Sequence, residues 1–184
     1  MSQHQDINAQ GERARPHVGV LYGGRSSERA VSLVTGEAVA SALERAGYQV
    51  SLIDARHPTR HHEHVDLFKQ LKARGVEVIF NALHGTFGED GCLQGALEWA
   101  GLPYTGSGVK ASAVAMDKEM SRKLMAAAGV PVARAGLWRE GQPLPTLAEL
   151  PPAPWAAKPL AEGSSVGIAR CEDLTALHNH LRGA

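Results

Sequence analysis

Cysteine is scarce. Only Cys92 and Cys171 occur in 184 residues. Neither belongs to a metal-type C-x-x-C pair, so both read as free thiols, which suit a reducing cytosol. An excess of charge of either sign is also missing: nineteen Lys and Arg meet nineteen Asp and Glu. Without a basic stripe the chain is poorly matched to a phosphate backbone, which argues against nucleic acid as its main partner. No apolar run approaches the roughly 18 residues that a membrane span needs. The stretch from Met1 to Pro16 is polar and has no apolar centre, so it is not a secretory leader and reads as a disordered tail. What remains is an ordinary globular balance, 43% hydrophobic and 21% charged. At roughly 100–200 residues per domain, the length allows one domain, or one plus part of another.

Within that balance, short apolar runs alternate with helical periods. Val18-Gly19-Val20-Leu21-Tyr22 is nearly all apolar, as a strand covered on both faces should be. A helical pattern follows from Glu28 to Ala46, with Val31, Val34, Ala38, Ala42 and Ala46 on one face. Gly36 inside it costs about 1 kcal/mol relative to alanine and suggests close packing. Gly47 is a natural stop. Tyr48 to Ile53 reads as a second strand. Val65, Phe68 and Leu71 mark a helix ending at Gly75, and Val76 to Leu83 reads as a buried third strand. Asp90 is placed to cap a helix that runs to Ala100. Strict alternation of strand and helix predicts a parallel sheet with right-handed crossovers.

Pro103 to Gly108 reads as a short strand turning into a loop. Helices are predicted over Val109 to Met116 and, capped by Asp117, over Lys118 to Ala128. Five prolines between Gly141 and Pro154 predict an irregular connection. Beyond it come a strand from Trp155 to Lys158, a loop at Glu162-Gly163-Ser164-Ser165, a strand from Val166 to Ala169 and a helix begun near Asp173. A sheet opened so late has little chain left to cover it, and the expectation is a truncated second domain.

Ligands of an open parallel sheet bind outside the carboxyl ends of its strands. Here those ends carry Gly23-Gly24-Arg25-Ser26-Ser27-Glu28, His84-Gly85-Thr86-Phe87-Gly88-Glu89-Asp90-Gly91 and Thr105-Gly106-Ser107-Gly108. Bare backbone lets a ligand approach, and each loop leads to a helix N-terminus, which favours anions. A dinucleotide site is the rival reading, since Asp54 follows the second strand where a ribose-binding acid would stand. Gly19, Gly23 and Gly24, however, do not spell G-x-G-x-x-G. The glycine-serine loop around Ser164 could cover a triphosphate with backbone amides; by itself it is as well explained as a hairpin turn. Lys158, in a run that reads as buried, shifts the balance, because a lysine there is costly unless an anion meets it. Lys118 in a first helical turn faces a mildly unfavourable dipole. Four of the nine histidines fall in the run from Arg56 to His64. Its spacing matches no closed zinc site, and it reads as a solvated connector.

Taken in order, six segments resemble the D-alanine–D-alanine ligase family of the ATP-grasp superfamily. They are Gly23 to Arg29; His84-Gly85 with Gly88 to Gly91; Gln94-Gly95; Pro103 to Val109; Met116-Asp117-Lys118; and Lys158-Pro159 with Glu162 to Gly167. The resemblance implies a Rossmann-like parallel sheet as an amino-terminal substrate domain over 17–117, followed by the start of an ATP-grasp α+β domain over 118–184. It implies ligation of two D-alanines through an acyl phosphate, in the cytoplasm, for peptidoglycan synthesis. Glu28 would grip the ammonium of the first D-alanine, Ser164 would orient Glu28, and His84 would lie beside that substrate. Lys118, Lys158, Ser164 and Ser165 would take ATP. Ala30 stands where the family often has a second glutamate.

Magnesium ligands belong to the family's later part, so no metal ligand is expected among these residues, and the chain alone is expected to be inactive. The family commonly pairs through its first domain, which implies a homodimer. A D-alanine–D-lactate ligase, a non-catalytic binding or dimerisation module and a dinucleotide oxidoreductase are the alternatives.

Overall fold

The computed structural model describes residues 15–56 and 67–183. The expectations for most of the amino-terminal tail and for the histidine-rich run from His57 to His64 lie outside those residues. The chain divides into two compact units, Met1–Val109 and Lys110–Ala184.

The first unit alternates as the periodicity predicts: β1 (Val18–Tyr22), α1 (Arg29–Arg45), β2 (Val50–Asp54), α2 (Leu67–Ala73), β3 (Val78–Asn81) and α3 (Cys92–Trp99). The sheet is parallel with order β2-β1-β3. A single parallel bridge from Ile79 to Tyr104 extends it at the β3 edge. Side chains of a strand alternate between faces, and the two faces have separate cores. Leu21, Ile53 and Ile79 pack with Leu71, Leu93 and Leu97 from the helices α2 and α3. Val18, Val20 and Ala82 pack with Ala40 of α1, with Val39 and Leu43 beside them. That two-sided burial explains why β1 reads as an unbroken apolar run.

The face of α1 that packs is not the one its valines suggest. Val31 and Val34 are 49% and 69% exposed, whereas Ser32, Gly36 and Ala40 are buried. Small residues win this face because the helix lies close to the sheet. A Cβ at Gly36 would run into the Cβ and ring of Tyr22. The close packing expected at Gly36 is therefore present, on a face opposite to the expected one.

The second unit holds α4 (Val109–Met116), which begins at the boundary, then α5 (Lys118–Ala127), β4 (Trp155–Ala157), β5 (Ala169–Cys171) and α6 (Leu174–Gly183). Asp117 caps α5 by accepting from the Met120 amide at 2.8 Å. The strands β4 and β5 pair antiparallel, and α6 packs on them with Leu177 buried. The second strand starts at Ala169, not Val166, because residues 164–167 are spent in a turn. The proline-rich stretch carries no strand or helix.

Candidate functional site

Strand order decides where a ligand can enter the first unit. β2 and β3 lie on opposite sides of β1. Chain leaving β1 and chain leaving β3 therefore diverge, and the carboxyl ends of these neighbours flank a crevice. The loops there are residues 23–28 and 84–91.

Hydrogen bonds fasten both loops to the sheet and to each other. The buried Ser32 hydroxyl donates to Ala82 O at 2.6 Å and accepts from Gly23 N at 2.8 Å. One helical side chain thus joins the loop after β1 to the chain leaving β3. Ser26 makes the second link: its hydroxyl donates to His84 O at 2.7 Å and accepts from Glu28 N at 3.2 Å. Asn81 and Gln94 both donate to Gly88 O, at 2.8 and 2.9 Å. Together they hold the second loop from the end of β3 and from α3.

The Glu28 and His84 side chains meet these fastened loops. Glu28 is only 7% exposed, although it is a carboxylate one residue before α1. Its Oε2 stands 2.8 Å from where a Cβ on Gly85 would sit, so it lies against the backbone of the loop after β3. His84 is half-buried. Its Nε2 faces the Thr35 hydroxyl at 3.4 Å and its Nδ1 lies 3.8 Å from Glu89 Oε1. Glu89 in turn accepts from Gly85 N at 2.7 Å. The two residues read as substrate contacts thus come to one loop cluster.

Asp90 ends the second loop. It accepts from Phe87 N at 2.9 Å and from Cys92 N at 3.0 Å. Burial alone would push its carboxyl up; these amide bonds outweigh burial and leave it below its ordinary value. The Cys92 thiol is held above its ordinary value, first by its hydrogen bond to Asp90 and then by burial. Asp90 therefore supports the start of α3 as expected, while Gly91 takes the capping position itself.

In the second unit the Lys118 ammonium donates to Leu160 O at 3.1 Å and Glu162 O at 2.6 Å. It thereby holds one end of the loop between β4 and β5. Ser164 and Ser165 both adopt left-handed backbone, φ 48° and 62°. Consecutive positive-φ residues without glycine are uncommon, and such stretches make concavities of backbone amides that suit anions. Lys158 departs from its reading: β4 ends at Ala157 and Lys158 is exposed. The apolar run around it is too short to bury it, so the cost argument that singled it out does not hold, although its place beside the loop does. Among the described residues, no three His, Cys, Asp or Glu side chains come together as a metal site.

Sequence reasoning placed Ser26 and Gln94 in motif segments without giving them this fastening role, and did not single out Ser32 or Asn81. The signal for Asn81 and Gln94 was present, since a polar residue inside an apolar run must find a partner once buried.

The model describing the "D-ala D-ala ligase N-terminus" matches residues 17–74 and 55–107. A D-alanine–D-alanine ligase from Gluconobacter oxydans is 51% identical over 156 residues, covering 82% of this chain and 48% of that protein. One from a Caulobacter species is 49% identical, covering 85% and 45%. The chain thus spans about half the length of the curated relatives it matches. Its fold is similar to the crystal structure of the D-alanine–D-alanine ligase from Bacillus anthracis, with a TM-score of 0.77 and 34% identity, covering 92% of this chain and 53% of that one. The ligase from Coxiella burnetii is similar at a TM-score of 0.74 and 26% identity, covering 91% and 60%.

Proposed function

We propose, since this chain belongs to the D-alanine–D-alanine ligase family and carries its amino-terminal part, that it serves ATP-dependent joining of two D-alanines for peptidoglycan synthesis. Its own residues divide that work. The first unit is the substrate domain and takes the first D-alanine. The second is the start of the ATP-grasp domain and takes part of the nucleotide.

The observation that carries this reading is the carboxylate of Glu28, nearly buried among backbone at the carboxyl ends of two parallel strands. A buried carboxylate favours a cation, and an amino acid's ammonium supplies one. One charge-assisted hydrogen bond of this kind contributes roughly 1.5–3 kcal/mol. His84, which faces the Thr35 hydroxyl and lies near Glu89, is assigned to the same substrate. On the nucleotide side, Lys118 spends two of its three N–H donors on loop carbonyls, and the third is assigned to a phosphate. Ser164 and Ser165 are assigned to the nucleotide by their left-handed backbone, and Lys158 by its position at the loop's start.

The chemistry supplied by these groups is placement and charge. ATP would phosphorylate the carboxylate of the first D-alanine, and the amine of the second would displace that phosphate. Glu28 takes no part in bond making; it fixes the amino acid so that its carboxylate is presented. The cytoplasm is the compartment proposed, in keeping with the unpaired thiols Cys92 and Cys171. Pairing of two copies through the first unit is also proposed, supported by the outward Val31 and Val34; sedimentation velocity reads it directly.

The decisive experiment is a calorimetric titration of D-alanine into the 184-residue chain and into Glu28→Gln. The substitution keeps the shape and removes the charge. Affinity should fall by about ten- to a hundredfold, as the loss of one charge-assisted bond dictates. Equal affinities in the two proteins would overturn the assignment of Glu28.

A further inference from the structure

The loop that carries Glu28 is folded around an ion pair that the proposed reaction does not use. Asp54, at the end of β2, takes the Arg29 guanidinium with both oxygens: Nη1 donates to Oδ1 at 2.8 Å and Nη2 to Oδ2 at 2.6 Å. Arg29 Nη1 also donates to Gly24 O at 3.0 Å, and Gly24 N donates to Asp54 Oδ1 at 3.4 Å. Arg56 Nε adds a bond to Asp54 Oδ2 at 2.9 Å. The fork of a guanidinium on a carboxylate fixes direction as well as distance. Gly23, at φ +75°, lies so close that a Cβ there would strike both the Asp54 carboxylate and the Arg29 guanidinium.

Arg29 directly follows Glu28, and both stand at the start of α1. The pair therefore anchors that turn from the β2 side, while Ser26 anchors it from the β3 side through His84 O. We infer that Asp54 and Arg29 are positioning residues that hold Glu28 where it can meet the ammonium of a D-amino acid. This rests on the reading of Glu28 given above. It also accounts for Asp54, the acid that a dinucleotide site would have used for ribose: both its oxygens are committed to arginine.

The test uses the full 184-residue chain as Asp54→Asn and as Arg29→Lys. The first keeps the shape and removes the charge; the second keeps the charge and removes the fork, and serves where the first folds poorly. Two measurements are made at a temperature where circular dichroism shows a folded protein. One is the set of amide resonances of residues 23–28 and Gly85. These should shift and broaden in both variants, while Val20 and Ala40 stay in place. The other is the affinity for D-alanine against L-alanine. A displaced Glu28 weakens the one charge-assisted bond assigned to it, so D-alanine should bind about tenfold more weakly and the preference for the D form should shrink.

A lowered melting temperature with the D-to-L preference intact would make the pair merely structural and overturn the inference. Unmoved loop resonances would do the same. If the unaltered chain binds no D-alanine, the reading of Glu28 fails, and the resonances alone then decide whether the pair sets the loop.

Discussion

The two units prepare their loops in different ways. In the first, the loops after β1 and β3 are tied to a two-sided core by buried polar groups: Ser32 reaches Ala82 O, and Gln94 reaches Gly88 O. In the second, α5 buries no residue, and Met120, Leu124 and Met125 stand 45–51% exposed. The loop between β4 and β5 is held at one end by a lysine, on two carbonyls. Order in the loops after β1 and β3 is thus tied to the core beneath them. The loop between β4 and β5 is fastened instead by the Lys118 ammonium and by its own backbone turns, Val166 N to Gly163 O and Ile168 N to Ser165 O.

The largest test of that contrast is Leu21→Ala. Leu21 is fully buried in β1, the central strand of the sheet and the one that leads into the first of the two loops. Truncating such a leucine costs about 2–5 kcal/mol through lost transfer energy and the cavity left behind. Hydrogen exchange at the amides of β1 and α1 should report that loss. It should also quicken exchange at Gly88, whose carbonyl is held by Asn81 of β3 and Gln94 of α3, both built on that core. Loops that kept their protection while the sheet lost it would show that the cluster's order does not come from the core.

A smaller effect comes from acid. The Arg29 guanidinium, hydrogen-bonded to Asp54, holds that carboxyl below its ordinary 3.8 against the opposing pull of burial, with Arg56 adding to the effect. A carboxyl lowered on folding adds stability that is fully present above its ordinary value and is lost as pH falls through the folded one. Melting of the unaltered chain and of Asp54→Asn should therefore differ at neutral pH and converge below pH 3.8. A constant gap over that range would mean that the charge of Asp54 contributes nothing to the first unit. Asp90 is lowered as well, by backbone amides, so Asp54→Asn should keep a residual acid limb of its own.

How much of this was legible follows the same division. The order of β1, α1, β2, β3 and α3 was readable because each strand is apolar enough to be buried on both faces and each helix ends at a glycine. The loops that carry Glu28 and His84 were readable as neighbours because the carboxyl ends of parallel strands lie at one edge of the sheet, whereas their roles toward a substrate were given only by the family resemblance. The packing face of α1 was not, since valine signals burial only when its neighbours can reach it. Here close approach selects Ser32, Gly36 and Ala40. Asp54 was misplaced in the rival reading because nothing local says that an acid after β2 will meet Arg29, 25 residues earlier. Lys158 misled for a similar reason. An apolar run of three residues in a two-stranded ladder looks like a buried strand in sequence, yet it leaves the next side chain in water.

The smallest expected effect is the sharpest on the second unit. Leu124 lies on α5 with half its surface in solvent, and Met120 and Met125 on the same helix are exposed to a similar extent. Leucine and alanine differ little in helix propensity, and a surface substitution away from caps and buried networks changes stability by no more than about 0.5 kcal/mol. Leu124→Ala should accordingly leave the melting of the 184-residue chain almost where it was, against the several kcal/mol lost by Leu21→Ala. The same two leucines thus calibrate one another: chemically identical truncations read the depth of the core beneath each loop. A loss at Leu124 approaching that at Leu21 would mean that α5 is covered in solution, and the contrast between a core-fastened cluster and a lysine-held loop would no longer stand.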